Sequence, residues 1–473
     1  MSDKKRNEHL AIIAFLSLYF IALVVLAFSK NGTGDQGDSV HHYLCAHYAF
    51  DHPRLFFDHW AKPVFTLLSA PFAYFGFAWM KVYNSLVTCL ALYITCRSAV
   101  VLKYPQPWLA AFFGAFMPRY LLLTQSGLTE PTFALFLILG VYFQLKDKSL
   151  TAAILISFLP FVRYEGLVIM GVFGIYYLIN REWKYLPLLL TGHVAYSLAG
   201  YYFHHDLFWV ITENTNATFW SYGSGSWLHF VKNLFYVIGP PLYFLWLAGI
   251  IFMLIVLGKP SLGLPGKLFR KELWLVYGSM TAFIGAHTVF HGLGIFKSMG
   301  LLRVLICVLP LVALVCLNGW NAAFRLVPKG KWKEMLKICL LIYVAIFLFS
   351  RHPAAVQWER DLSLHPTQVL LEDVAKYLED FPGRRFYYTA PYLSMLLNYD
   401  HFDWDSNRRF VEFLKDDVPS GSIGIWDNLF NVLDDGIQLE QLEKDSRLRK
   451  LKTFEVKNQW YDYQFVVFEF VGK

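Results

Sequence analysis

Apolar residues in this chain come in long uninterrupted runs, and a run of about 20 such residues is what a helix needs to cross the hydrocarbon core of a bilayer. With 56% hydrophobic and only 16% charged residues over 473 positions, the chain carries more apolar surface than a soluble core of that size can hide. It reads as an α-helical polytopic membrane protein. Candidate spans are 10–29, 80–100, 107–123, 130–145, 149–162, 167–180, 185–203, 233–257, 272–291, 301–318 and 335–350, about eleven helices. The first follows Lys4-Lys5-Arg6 but is long for a signal sequence and lacks a small-residue cleavage site, so it is expected to stay as a helix. Residues 63–79 are apolar but interrupted by Pro71 and Gly76, which suits an interfacial or re-entrant helix.

Charge divides the chain. Residues 1–350 hold 27 Lys and Arg against 14 Asp and Glu (net +13), and residues 351–473 hold 15 against 21 (net −6). A nucleic-acid partner therefore loses its usual support. Two domains are expected: 1–350 as a transmembrane catalytic domain with a first external loop at 30–79, and 351–473 as a soluble extracytoplasmic α/β domain. The tail carries an amphipathic segment at Thr367 to Leu378 and strand-like stretches at 385–389, 421–426 and 463–471. Six cysteines, mostly inside apolar runs without paired ligand spacing, suggest neither zinc nor a disulfide framework.

Basic residues orient the spans. Lys4 to Arg6, Arg97 with Lys103, Lys146 with Lys148, Arg181 with Lys184, the 259–271 loop and the 325–333 loop all fall on one side, which the positive-inside rule makes cytoplasmic. The alternate loops and the tail then lie outside, and nearly every unusual polar cluster belongs to that second set.

The first of these clusters is Gly34-Asp35-Gln36-Gly37-Asp38-Ser39-Val40-His41-His42-Tyr43, directly after the first span. Asp38 is a candidate general base, able to take a proton from an attacking hydroxyl, or else a helix N-cap. Asp35, among glycines that suggest a turn, is a second candidate, and His41, His42 and Tyr43 are candidates for acceptor contact or support. His59 and Lys62 precede Pro63; the lysine suits phosphate oxygens, or lipid headgroups by snorkelling. Glu130, in Thr129-Glu130-Pro131, opens a helix where an acid also suits the dipole. Arg163-Tyr164-Glu165-Gly166 places a cation and an anion between two short apolar runs, a functional position by default unless the two merely pair. Arg303, in Lys297-Ser298-Met299-Gly300-Leu301-Leu302-Arg303, sits on the side where the charge rule does not put an arginine, which suits an anionic ligand. His287 and His291, four apart, have the spacing of a shared metal or of two satisfied helix histidines; His204-His205-Asp206 reads the same way. Asn31-Gly-Thr and Asn216-Ala-Thr are formal glycosylation sequons.

The order of these motifs resembles the GT-C superfamily of polyprenyl-phosphate-dependent glycosyltransferases, and looks most like the branch with protein O-mannosyltransferases and the lipid A aminoarabinose transferase. The resemblance covers roughly residues 10–320. It implies an inverting transfer of sugar from a polyprenyl-phosphate donor to an acceptor hydroxyl on a glycan, protein or lipid, at the extracytoplasmic face of what would be a bacterial inner membrane. Asp38 matches the family's first-loop acid, implied to be the base, with Asp35 and Glu130 as further catalytic candidates. Lys62, with His59 beside it, matches a lysine implied to contact the donor phosphate, and Arg303 a late arginine implied to face it. Arg163 and Glu165 match an Arg-Pro-Glu-Gly motif in which Tyr164 replaces proline. Asp38-Ser39 stands where the family often has Asp-Glu, so a divalent metal ion is left open. The competing reading is a transporter or flippase of an anionic lipid, which would use the same cations but no base.

Overall fold

The computed structural model describes residues 3–213, 223–296, 298–403, 407–457 and 462–472. Asn216 of the second sequon and Lys297 of the arginine motif lie outside the described residues. A helical bundle occupies the first three quarters of the chain and a small mixed α/β unit the last.

Among the described residues, five helical stretches are long and apolar enough to cross a membrane: Glu8–Ser29, Phe77–Val101, Pro240–Gly258, Gly266–Leu293 and Leu302–Leu326. Shorter apolar helices stand beside them at Pro63–Ala73, Glu130–Leu145, Ser149–Phe161 and Gly166–Ile179. The expected eleven spans are therefore not eleven continuous rods. The run 107–123 is two short helices, Trp108–Ala115 and Pro118–Thr124, because Pro118 cannot continue the first and starts the second. The run 233–257 breaks at Gly239, whose φ of 81° a side chain would resist, before Pro240 restarts the helix. Hydropathy averages across such breaks and does not register them.

The run 63–79 does not form one continuous helix. Pro63–Ala73 has 11 residues, about 16 Å at 1.5 Å each, too short to span. It ends before Gly76, whose φ of 112° turns the chain into Phe77–Val101.

Burial ranks the helices. In Leu302–Leu326 some 89% of the apolar window is buried, against 17% in Glu8–Ser29, so the former is the axis of the bundle and the latter lies at its rim. The axis is approached closely by Pro240–Gly258, because Gly249 faces Val315 O and Gly319 faces Leu245 O and Gly249 N. Small residues that let two backbones touch are the usual device for helix association where lipid surrounds the bundle.

The tail forms a five-stranded sheet from β1 (Phe386–Tyr388), β2 (Asn407–Arg408), β3 (Ile423–Asp427), β4 (Leu448–Lys457) and β5 (Asp462–Phe470), in the order β2-β1-β3-β5-β4. β1 pairs with β2 and β3 in parallel; β5 pairs with β3 and β4 antiparallel. Helix Pro366–Leu378 covers the face bearing Phe386, Ile423 and Val467. That face is continuous with the bundle: one apolar cluster joins Val40, Tyr43, Leu44 and Phe65 to Leu371, Val374, Phe386, Ile423 and Val467. The sheet unit is thus seated on helices Asp38–His47 and Pro63–Ala73.

Replacing Gly319 by Ala puts a methyl group into the Leu245 carbonyl, and overpacking of this kind costs about 1–3 kcal/mol. The expected outcome is a lower unfolding midpoint in detergent for Gly319→Ala than for Gly285→Ala, where a Cβ meets nothing.

Candidate functional site

The loop between the first helix and Asp38–His47 is shaped by Asp35. One oxygen of its carboxylate accepts from Gly37 N (3.0 Å) and Ser39 N (2.9 Å), satisfying donors at the start of the helix. The capping role open for Asp38 therefore belongs to Asp35. Ser39 is tied to Thr33 O and accepts from Gly127 N (2.7 Å), which locks the loop to the turn before Glu130. Asp38 stands on the first turn of its helix.

Arg303 reaches into this loop from the start of the axial helix. Its two terminal nitrogens donate separately to Asp35 and Asp38, and its Nε lies 3.6 Å from Glu130 Oε1. The same Glu130 oxygen accepts from Arg163 Nη1 at 2.8 Å, and Arg163 Nη2 donates to Glu165 at 2.9 Å. His287 Nε2 stands 3.8 Å from that Glu165 oxygen. The result is a chain of alternating charges, Asp35 and Asp38, Arg303, Glu130, Arg163 and Glu165, that ends at the His287 imidazole. Glu130, expected from the sequence as a helix-opening acid, is fully buried and is the link between the two arginines.

Lys62 lies beside this chain, close enough for the charges of Arg163, Glu165 and Asp38 to act on it. It is buried, and its φ of 63° is left-handed, a conformation that costs a non-glycine residue on the order of 1–2 kcal/mol. The ammonium donates to His59 O at 3.1 Å and sits 4.3 Å from the Tyr164 ring centroid and 5.5 Å from that of Trp60. No carboxylate of the described residues comes within 4.0 Å of it. Burial, with Arg163 adding to it, pushes the Lys62 pKa down to about 8.

The two aspartates are pushed apart. Burial lifts the Asp35 carboxyl above its ordinary range against the pull of Arg303. Burial acts on Asp38 too, but there Arg303 and His42 outweigh it and hold the carboxyl low. Glu165 is held down to about 2, the opposing effect of burial being overcome by Arg163 and His287.

Of the other expected site residues, His42 borders the cluster, buried against Trp60 and Phe65 with its Nδ1 unpartnered. His41 faces the sheet unit, its ring 5.4 Å from that of His401. Tyr43 is not brought to the site: its ring packs on Phe77 and its hydroxyl turns to His47, because it projects from the apolar face of its helix. The His59 imidazole is engaged by Trp209 O at 3.2 Å, so it anchors the Lys62 turn and faces no open phosphate position. His204 and Asp206 form a turn, His204 stacked on Trp209 and Asp206 accepting from Phe208 N and Thr212. Thr33 of the first sequon is buried and bonded to Gln368.

His287 and His291 diverge, His287 toward Glu165 and His291 against His229, so they do not share a ligand position. No group of three or more His, Cys, Asp or Glu side chains among the described residues is arranged to hold a metal ion. The carboxylates closest to such an arrangement, Asp35 and Asp38, are turned onto Arg303, which takes the position a cation would need between them.

Trp60 and Tyr164, the aromatic faces around Lys62, were not singled out from the sequence; each neighbours a motif residue, and their shared orientation exists only once the turn is folded.

No family model and no curated protein matches the sequence. Solved structures do. ArnT from Cupriavidus metallidurans bound to undecaprenyl phosphate superposes with a TM-score of 0.60 at 12% identity, covering 97% of each chain. Its apo state gives 0.60 and 12%, covering 97% of this chain and 98% of that one. The apo oligosaccharyltransferase of Archaeoglobus fulgidus gives 0.55 and 12%, covering 86% of this chain and 65% of that one.

Because Glu130 serves both arginines, Glu130→Gln should remove about 3–5 kcal/mol, as breaking a buried ion pair does. Glu213→Gln, which breaks the more exposed pair with His204, should cost at most about 1 kcal/mol. Thermal unfolding of the two variants in detergent checks the contrast. The chain thus shares its fold, a polytopic bundle of apolar helices followed by a sheet unit, with these solved structures.

Proposed function

We propose that the protein is an integral-membrane inverting glycosyltransferase that moves a sugar from a polyprenyl-phosphate donor to an acceptor hydroxyl. The observation that carries this reading is Lys62: a buried cation, held in a strained turn between aromatic faces, without a carboxylate partner among the described residues, near an aspartate that is paired with Arg303 instead. A buried cation without a counter-ion is a site for an anion. The fold adds support, since a protein of this architecture has been crystallised with undecaprenyl phosphate.

In the mechanism, the acceptor oxygen attacks the anomeric carbon as its proton passes to Asp38. The bond from that carbon to the phosphate oxygen breaks, and polyprenyl phosphate leaves with the electron pair. Lys62 stabilises the charge that builds on the phosphate, and Arg163, fixed by Glu130 and Glu165, adds positive potential. Asp35 is the weaker candidate for the base because its oxygens are taken by Gly37 N, Ser39 N and Arg303. Arg303 has two roles in sequence. Paired with Asp38 it keeps the carboxylate a poor base; drawn to the incoming phosphate it frees Asp38 when donor is present, which limits futile reaction.

The residue division 1–350 and 351–473, a cytoplasmic-membrane location and an extracytoplasmic site belong to the same proposal, resting on the charge rule. The transporter alternative requires no base. Asp38→Asn therefore separates the readings: with a polyprenyl-phosphate sugar as donor, turnover should fall at least about 100-fold with donor binding retained. Turnover near the parent rate would remove Asp38 as the base.

Donor binding should also depend on pH. Below about 8 Lys62 of the free protein is charged; above it the ammonium must be re-protonated for the phosphate to bind. Affinity is then expected to fall by about tenfold per pH unit above that value. Lys62→Ala should bind more weakly and lose this dependence, as titration of undecaprenyl phosphate across pH 6 to 10 would reveal.

A further inference from the structure

We infer that the sheet unit carries the acceptor site, in the crevice between the C-terminal ends of β1 and β3, and that the acceptor it takes is a carbohydrate. The inference rests on the transferase reading above.

Strand order locates the crevice. β1 stands between β2 and β3, parallel to both; the chain leaves β1 toward β2 on one side and then crosses to β3 on the other. Loops that depart in opposite directions open a gap at the carboxyl ends of adjacent parallel strands, the place where ligands bind in sheets of this kind. Here the gap is polar. Thr389 follows β1, Arg409 follows β2, and Asn431 and Asp435 follow β3. Arg409 donates to Asp435 at 2.8 Å; Asn431 donates to Thr389 at 2.9 Å and to Asp435 at 3.1 Å. At the foot of the gap, Asp427 ends β3 fully buried, with one carboxylate oxygen that has no hydrogen-bond partner. Arg409 is more than half exposed, with one terminal nitrogen on Asp435 and the rest of its guanidinium open to a ligand, and Thr389 is partly exposed beside it.

The crevice opens toward Asp38. A Cβ added to Gly37 would stand 3.2 Å from the ring of Phe430, the residue preceding Asn431. The charge of Arg409 reaches His41, one helical turn after Asp38. On the bundle side, Trp60 is 45% exposed and lies 5.9 Å from the His41 ring, so it offers an apolar face across from the polar rim. A ligand with one polar edge and one C–H face fits between: a pyranose meets an alternating set of carboxylate, guanidinium and hydroxyl with its hydroxyls and an indole with its ring face. A peptide would look for a free strand edge, but beside the crevice the described part of β2 is two residues long, and the longer edge, β4, lies at the far side of the sheet. A lipid chain would need apolar walls, and Thr389, Arg409, Asn431 and Asp435 are all polar.

The test uses the full chain in lipid nanodiscs and saturation-transfer NMR with a panel of mono- and disaccharides, alongside separate titration of undecaprenyl phosphate. At least one saccharide should bind, and Arg409→Ala and Thr389→Val should each weaken it about tenfold while leaving undecaprenyl phosphate binding unchanged. Undecaprenyl phosphate binding without any saccharide binding overturns the inference and leaves the transferase reading standing. So does saccharide binding that both variants retain, or displacement of the saccharide by a serine-containing peptide. Loss of the undecaprenyl phosphate arm in the parent protein would instead count against the donor site.

Discussion

Everything at the candidate site hangs on one guanidinium. Arg303 comes from the most deeply buried helix of the bundle and ends between two aspartates from a loop 265 residues earlier in the chain. Without it, Asp35 and Asp38 would repel each other across a short turn, and Glu130 would carry only Arg163. Buried charges persist only when paired and hydrogen-bonded, so each member of the series fixes the next. A network of this kind stabilises the fold less than an apolar core would. What it does supply is a single geometry, with the acid, the cations and Lys62 held at one level.

Much of this was legible because polar residues stand out against apolar runs. Asp38, Lys62, Arg163, Glu165 and Arg303 each interrupt a stretch that would otherwise be featureless, and the structure gathers them. Their pairing was not legible: nothing local in Asp35 or in Arg303 states that the two meet, since the contact is made by tertiary packing. His59 shows the same limit from the other side. As a titratable neighbour of Lys62 it looked like a ligand, but the carbonyl that takes its imidazole belongs to Trp209, far along the chain.

The architecture divides similarly. Span positions follow hydropathy, whereas the breaks at Pro118 and Gly239 depend on backbone geometry that a window average erases. In the tail, β1, β3 and β5 announce themselves by aromatic and β-branched runs. β4, with Arg449, Lys450, Lys452, Glu455 and Lys457 along ten residues, reads as solvated chain; it is an edge strand, and charge is what keeps an edge from pairing with a stranger.

The seating of the sheet unit bears on when the protein becomes competent. The turn that carries Asp35 is closed from the start of the tail: Gly32 N donates to Leu362 O at 2.9 Å, and Thr33 is bonded to Gln368 across 335 residues of sequence. During synthesis the loop emerges first and waits for more than three hundred further residues before these hydrogen bonds can form. A nascent chain, or one truncated before this stretch, thus holds the acid but not the frame that aims it, and order at the site arrives only once the start of the tail has been made.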